Sequence, residues 1–443
     1  MINKNSLQVG YGRANITPRY PDGNFMPVRT AGYPDKRICY KIVTDLYASC
    51  TAFRDADGST ALLFSVDVIG FPNDDTEYAL NKVSEETGVA KDHIIFNATH
   101  THTAPGLWMV KVEANAEYKK NIFFDGLVKA AKQALEDLTL CTDIYVGVGD
   151  GTGYNFVRRY DIDEEGNMHH EFEADHSIPI AKFVREGKKD ILLASWEAHC
   201  DTVAVTNRPD FYSVSADYVE AFRNKLEREL DAHVSMHISA NGDVNPFSKV
   251  KGEFKFPGTI PYGEAIADRV IEALPKLRKI DATGPVKMIS ARPRFEINHS
   301  RDNVLDKAIE ISRLYEQSGK TPELDQKCKD YDIFDVNEAT HIIIRSRLPK
   351  DEEMPVWALR VGGIAFGVAP YEMFTKTAMD IKAASPFDLT FVCAYSNGTY
   401  SYIPADYCFN KYDYEVYVCR YLRGSAEKVQ REISKLIDEL YKL

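Results

Sequence analysis

The sequence predicts an α/β fold: one domain over residues 1–443, layered α/β/β/α, with mixed central β-sheets and outer helices. Three observations predict it. Short apolar runs bounded by turn residues alternate with amphipathic helical stretches to the end of the chain. No internal repeat, low-complexity tract or linker interrupts that alternation, so one large domain is favoured over the two or three that 443 residues suggest as a length prior. Hydrophobic residues make up 44% and charged residues 27%, the balance of a folded chain with a large core.

Each element follows in order. Val9 to Ile16 is a strand that enters a turn at Pro18, and Leu46 to Phe53 is extended. Asp55-Ala56-Asp57-Gly58 is a hairpin turn, and Ala61 to Asp67 is apolar enough to be a central strand covered on both faces. A helix is expected over 74–86, with Gly88 just past its end. Ile94-Ile95-Phe96 is a buried strand, and 114–138 is a helix with the stripe Tyr118, Ile122, Phe123, Leu127, Ala131 and Leu135. Residues 143–149 form a strand ending in the Gly-rich loop 150–155, which lacks both the P-loop Lys and the dinucleotide glycine spacing. Strands at 178–183 and 191–196 pair across the turn at Glu186-Gly187. A helix over 213–230 and a strand over 234–238 follow. Helices near 262–277 and 303–317, strands near 341–347, 356–361, 364–368 and 388–395, and a closing helix over 426–440 complete the chain. The basic run Lys276-Leu277-Arg278-Lys279 is expected at a helix end, where cations complement the dipole.

Charge and composition exclude some functions. The net charge of −12, from 54 basic and 66 acidic residues, disfavours nucleic acid as a partner, because phosphate binding needs concentrated Lys and Arg. Eight cysteines stand singly with no CxxC, the pattern of reduced thiols. No stretch has the length of a membrane span, and Met1 to Ser6 has no apolar leader, so a cytoplasmic protein is expected.

The chemistry concentrates in Asn97-Ala98-Thr99-His100-Thr101-His102-Thr103-Ala104-Pro105-Gly106. Two imidazoles stand just past the carboxyl end of a strand, where open α/β sheets bind ligands. If the extended geometry persists, His100 and His102 point to one side, and the flanking Thr hydroxyls can fix their tautomers. Further loops after strands offer His199, Glu372 and the phenols of 398–404. Neutral imidazoles plus a carboxylate are what zinc takes when it keeps an open position for water. Read singly, the same residues have plainer roles. His199 is a satisfied polar residue, Glu372 a helix-dipole partner, and Tyr402 and Tyr414 packing residues among 25 tyrosines. Arg158 and Arg159 pair with the acidic run 161–165, and His169, His170 and His176 lie on the surface. Cys200 beside His199 lacks a recognisable base-and-orienter set for a thiol nucleophile.

Taken together, these stretches resemble the catalytic domain of the neutral (alkaline, non-lysosomal) ceramidase family across essentially the whole chain. The carrying stretches are Val9 to Thr17, Asn97 to Gly106, Trp196-Glu197-Ala198-His199, Asn241 to Pro246, Tyr371-Glu372-Met373-Phe374 and Tyr402 to Glu415. The spacing of Tyr402 and Tyr414 is that of the family's two active-site tyrosines. The resemblance implies zinc held by His100, His199, Glu372 and Tyr402, with His102, Arg158 and Tyr414 catalytic or stabilising the substrate carbonyl. The family's Asn-Arg pair is Val157-Arg158 here. Zinc then activates a water for attack on an amide.

Three departures bear on the substrate. Asn245 stands where the family has a Ser that takes part in catalysis, and neither the family's C-terminal β-sandwich nor a secretory leader is seen. The expected activity is zinc-dependent cleavage of an N-acyl bond in a small or medium-sized molecule, with Asn245 donating to the carbonyl or oxyanion. The alternatives are metal-dependent hydrolysis of an ester or other acyl linkage, and a binding protein that keeps the fold without activity.

Overall fold

The structure, a computed structural model, describes residues 6–32, 37–203, 212–247, 256 and 258–443. Its larger sheet contains β1 (Gln8–Asn15), β2 (Tyr47–Arg54), β3 (Thr60–Val66), β4 (Ile94–Ala98), β5 (Thr139–Asp150), β6 (Ser177–Arg185), β7 (Asp190–Trp196) and β8 (Ala232–Ile238). They lie side by side in the order β8-β7-β6-β5-β1-β2-β3-β4, and a short β9 (Arg278–Ile280) also pairs with β5. A second sheet holds β10 (Val286–Ala291), β11 (Val356–Val361), β12 (Ile364–Val368) and β13 (Leu389–Cys393), adjacent in that order. Among the described residues the longer helices are α1 (Asn73–Thr87), α2 (Phe124–Glu136), α3 (Tyr218–Leu230), α4 (Thr259–Ala273), α5 (Leu305–Ser318), α6 (Pro322–Asp330), α7 (Val336–Ser346), α8 (Thr375–Ala384) and α9 (Ser425–Lys442).

One unit occurs three times among the described residues. Three strands pair antiparallel, a helix crosses over, a fourth strand pairs parallel to the third, and a second helix follows. The instances are β1-β2-β3-α1-β4-α2, β5-β6-β7-α3-β8-α4 and β10-β11-β12-α8-β13-α9. A parallel pair needs a long crossover, which α1, α3 and α8 supply. The first two units join through antiparallel β1 and β5, where Gln8 faces Leu140 and Val9 faces Thr139. The sequence shows no repeat because the shared topology constrains where apolar residues fall, not which residues they are.

The sheets pack face to face. Phe53, Leu63, Ile95, Phe183 and Leu193 meet Leu359, Phe366 and Phe391 in one buried cluster. The alternate residues, among them Leu62, Phe64, Leu192 and Met236, form another core with the helices. Helices α2, α3 and α4 lie on the larger sheet, and α8 and α9 cover the smaller one, which gives the expected α/β/β/α layering. Each fully buried large apolar side chain contributes about 1.5–3 kcal/mol, so strands covered on both faces become continuous apolar runs. Gly10 and Gly12 let α2 lie close on β1. A Cβ at Gly10 would sit 2.0 Å from the Ala134 carbonyl oxygen, and one at Gly12 2.1 Å from that of Ala130.

Several expectations differ from the structure. The stretch 341–347 is not a strand; it lies mainly in α7, whose N-cap Asp335 accepts from the Glu338 N–H at 2.8 Å. Ile342-Ile343-Ile344 suggests a strand, but Ala339 and Ile342 bury against Ala308, Ile311 and Cys328 in a small helical core, and packing outweighs β propensity. Residues 213 and 214 are not helical, because they pair parallel with Lys41 and Ile42; α3 begins at Tyr218, capped by Asp217. Of the basic run, Lys276 ends the 3-10 turn Leu274–Lys276 that continues α4, as expected, whereas Arg278 and Lys279 lie in β9, ion-paired with Asp388 and Asp143. The helix expected over 114–138 spans Glu113 to Glu136 with a π-turn at Lys119–Phe123. Gly88 does terminate α1 in the left-handed conformation, at φ 74°. All eight cysteines are buried and none forms a disulfide. No helix among the described residues is long and apolar enough to cross a membrane.

Candidate active site

The three units place their chemistry at equivalent positions, in the loops that follow the third and fourth strands. In the first unit β4 ends at Ala98, and His100 turns the chain with φ 61°. That conformation costs a non-glycine residue about 1–2 kcal/mol, a strain that structures carry where surrounding contacts fix the residue. Here the His100 N–H donates to the Val68 carbonyl at 2.9 Å. The turn, not a continued strand, brings the two rings together: His100 Nε2 and His102 Nε2 are 3.2 Å apart. Thr101 and Thr103 do not bond the rings; their hydroxyls donate to the Ser215 carbonyl. The tautomer of His100 is set instead by Nδ1–H donating to the Ile69 carbonyl at 2.7 Å. His102 is anchored by its own N–H, which donates to the Cys200 carbonyl at 3.0 Å, beside His199.

His199 follows β7 in the second unit. Its main-chain N–H donates to the Val244 carbonyl at 2.9 Å, and its Nδ1–H to the Asn241 carbonyl at 2.7 Å. Nε2 therefore carries the lone pair, is buried, and has no hydrogen-bond partner. The third unit supplies Glu372 after β12. Glu372-Met373 pairs parallel with Tyr402-Ile403, so the carboxylate and the Tyr402 phenol stand side by side. Glu372 Oε2 lies 3.7 Å from His100 Nε2 and 3.9 Å from His199 Nε2, buried and without a hydrogen-bond partner. The nitrogens of His100, His102 and His199 lie within 4.8 Å of one another. Two nitrogens on a tetrahedral zinc are about 3.3 Å apart, given bonds of about 2.05 Å. The observed spacing fits a shared cation.

Electrostatics point the same way. Burial holds His100 down to about 3 and keeps His102 and His199 well below the ordinary histidine value, so all three are neutral and can act as ligands or bases. Burial raises Glu372 to about 7, although the Tyr402 hydroxyl and Arg158 oppose it. A carboxylate held this way gains from a nearby cation.

Arg158 and Arg159 do not pair with the acidic run 161–165. The Arg158 Nε donates to Glu415 Oε1 at 2.7 Å, and an Nη donates to the Tyr402 hydroxyl at 3.2 Å. Burial alone would lower its pKa, but Tyr402 and Glu415 raise it well above the usual value. Arg159 binds Glu171, Asp413 and the other Glu415 oxygen, locking the segment that carries Tyr414. Tyr414 starts a short helix and is 40% exposed, with its ring edge-on to Tyr402 at 5.6 Å. Burial pushes its phenol up to about 12, so it stays protonated. Asn245 pairs through its backbone with Phe156, two residues before Arg158, and its Oδ1 is buried without a partner.

Sequence reasoning missed Tyr395, which stacks on His100, and the close approach of Gly32 to His102. Tyr395 gives no sequence signal, because it ends an apolar strand like any packing aromatic. Gly32 gives one only as a glycine in a Gly/Pro-rich loop. His176 is less open than a surface residue, with hydrogen bonds to Asn155 and Glu173.

No protein-family model and no curated protein matches the chain. Its fold is that of neutral ceramidase structures. Superposition on the neutral ceramidase from Pseudomonas aeruginosa gives a TM-score of 0.73 at 17% identity, covering 99% of this chain and 75% of that one. A ceramidase complexed with C2 gives 0.72 at 15% identity, covering 99% and 76%.

Proposed function

We propose that this chain is a zinc-dependent hydrolase that cleaves the amide bond of an N-acyl compound, in a small or medium-sized soluble substrate. One observation carries the reading. His199 Nε2 and Glu372 Oε2 are buried acceptors without donors, gathered around the His100 lone pair. An unpaired buried acceptor costs about 1–3 kcal/mol, and a cation removes that cost for the whole set. Two or three imidazole nitrogens and a carboxylate, with Tyr402 beside them, suit zinc with a position left open. When bound there, zinc would supply Lewis acidity and bring the pKa of a water near neutrality.

The rest falls to the chain's own residues. Neutral His102 is placed to take a proton during attack and return it to the departing amine. Arg158, fixed by Glu415, and the protonated Tyr414 phenol are donors for a carbonyl oxygen that gains negative charge. The unpartnered Asn245 Oδ1 can accept a substrate N–H, and its amide nitrogen is a donor for the carbonyl. The fold neighbours are ceramidases by name, so their chemistry is on ceramide, an N-acyl amide, which favours an amide over an ester here. Asn in place of the family's Ser at 245 favours a substrate other than long-chain ceramide.

Elemental analysis of chelator-free protein should find about one zinc per chain, lost in the His100→Ala, His199→Ala double variant. Short N-acyl amines should turn over faster than matched esters or ceramide in detergent. Full zinc loading in the double variant would overturn the metal assignment. Ester turnover without amide turnover would overturn the reaction, and efficient ceramide turnover with little on short amides would overturn the substrate.

A further inference from the structure

We propose that Tyr395 is a positioning residue that sets the mutual orientation of His100, His199 and Glu372 toward one divalent cation. The inference rests on the metal-site reading above. Tyr395 follows β13 with φ 49°, a conformation that a bulky residue adopts only where its surroundings hold it. Its main chain ties the third unit to the first at the site. The N–H donates to the Tyr371 carbonyl at 3.2 Å, one residue before Glu372. The carbonyl accepts from the Ala98 N–H at 3.3 Å, two residues before His100.

The side chain repeats the pattern. The ring is 1% exposed and stacks on the His100 imidazole, with centroids 3.9 Å apart and planes 22° from parallel. That contact blocks rotation of the imidazole about the axis that aims Nε2. The hydroxyl donates to Asn241 Oδ1, and the Asn241 main-chain carbonyl accepts His199 Nδ1–H at 2.7 Å. One residue therefore fixes one ring by stacking, the other through one intermediary, and the segment that carries the carboxylate through its main chain. Groups that orient ligands in this way typically govern metal affinity by 10–100-fold.

The test uses the full chain loaded with cobalt(II) or zinc, read by chelator competition and by the cobalt electronic spectrum, which reports ligand geometry. Tyr395→Phe keeps the ring and removes the hydroxyl; it should weaken metal binding about 10-fold and lower kcat with little change in KM. Tyr395→Leu also removes the stack, and should weaken binding about 100-fold and shift the cobalt spectrum. Asn241→Ala keeps the carbonyl that holds His199 but removes the acceptor of the hydroxyl. It should match Tyr395→Phe, and the double variant should lose little more than either alone. Phe and Leu variants that bind cobalt with wild-type affinity and spectrum would overturn the role of Tyr395. If the Leu variant does not fold, the Phe and Asn241 variants decide by the same criterion. A wild-type chain that binds neither metal would instead remove the metal-site reading itself.

Discussion

Glu415 is the residue whose removal should unsettle the site most without touching a proposed ligand. Its side chain is 6% exposed, and it accepts from Arg158 at 2.7 Å and from Arg159 at 3.3 Å. Breaking a buried pair by deleting one partner costs about 3–5 kcal/mol, because the other charge stays buried and unpaired. Two facts place Glu415→Ala at the lower end of that range. Arg159 keeps Glu171 and Asp413, and the Arg158 side chain retains 18% exposure. The expected loss is about 3 kcal/mol, with Glu415→Gln losing less because it keeps a hydrogen bond. Arg158 then holds only the Tyr402 hydroxyl, so kcat should fall with the stability. The sign with pH follows. Burial tends to raise the Glu415 pKa, but Arg158 and Arg159 outweigh it and hold it below the ordinary value of 4.5. Its contribution is therefore present above about 4.5 and is lost as pH falls below that value. Urea denaturation at pH 7 and pH 4 would measure both effects. A Glu415→Ala protein with wild-type stability and turnover at pH 7 would refute the reasoning.

Three further outcomes are expected. His102→Ala should keep its zinc and lose turnover by about 10²–10⁴-fold; loss of the zinc in elemental analysis would make His102 a ligand alongside His100, 3.2 Å away. Gly32→Ala should lower kcat and leave zinc content intact, because Gly32 has φ 93° and a Cβ there would lie 2.5 Å from His102 Nδ1; wild-type kcat would count against the placement of His102. His237, fully buried, is held by burial at about 3 against an ordinary 6.5, so the folded state stays neutral while the unfolded chain takes a proton. Stability should fall by about 2 kcal/mol from pH 7 to pH 5 through this group, and His237→Gln should remove that part of the pH slope in urea titrations; an unchanged slope would argue against its burial.

What could be read from the sequence divides along a physical line. Strands covered on both faces, such as Ala61 to Val66, must be continuously apolar, and a helix end such as Gly88 must tolerate a left-handed backbone, so both announce themselves locally. The helix α7 did not, because its Ile-rich run has local strand propensity and becomes helical only by packing against α5 and α6. The start of α3 was hidden for a similar reason: Ser213 and Val214 are claimed by a pairing with Lys41 and Ile42, far away in sequence.

The candidate site follows the same division. His100, His102, His199 and Glu372 stand out as ligand-type residues after strands, and Arg158, Tyr402, Tyr414 and Asn245 through resemblance. Why they meet is a property of the repeated unit. Parallel pairing of its third and fourth strands brings two loops to one end of each sheet, and three such units supply imidazoles, a carboxylate and phenols from positions hundreds of residues apart. The residues that fix the geometry are of another kind. Tyr395 acts through a stacked ring and a hydroxyl on Asn241, and Gly32 through the Cβ it lacks. Neither role depends on a side chain with reactive chemistry, so composition and spacing cannot separate them from ordinary packing residues. Substitutions at Tyr395 and Gly32 should therefore change the chemistry at the site while leaving every ligand-type residue in place.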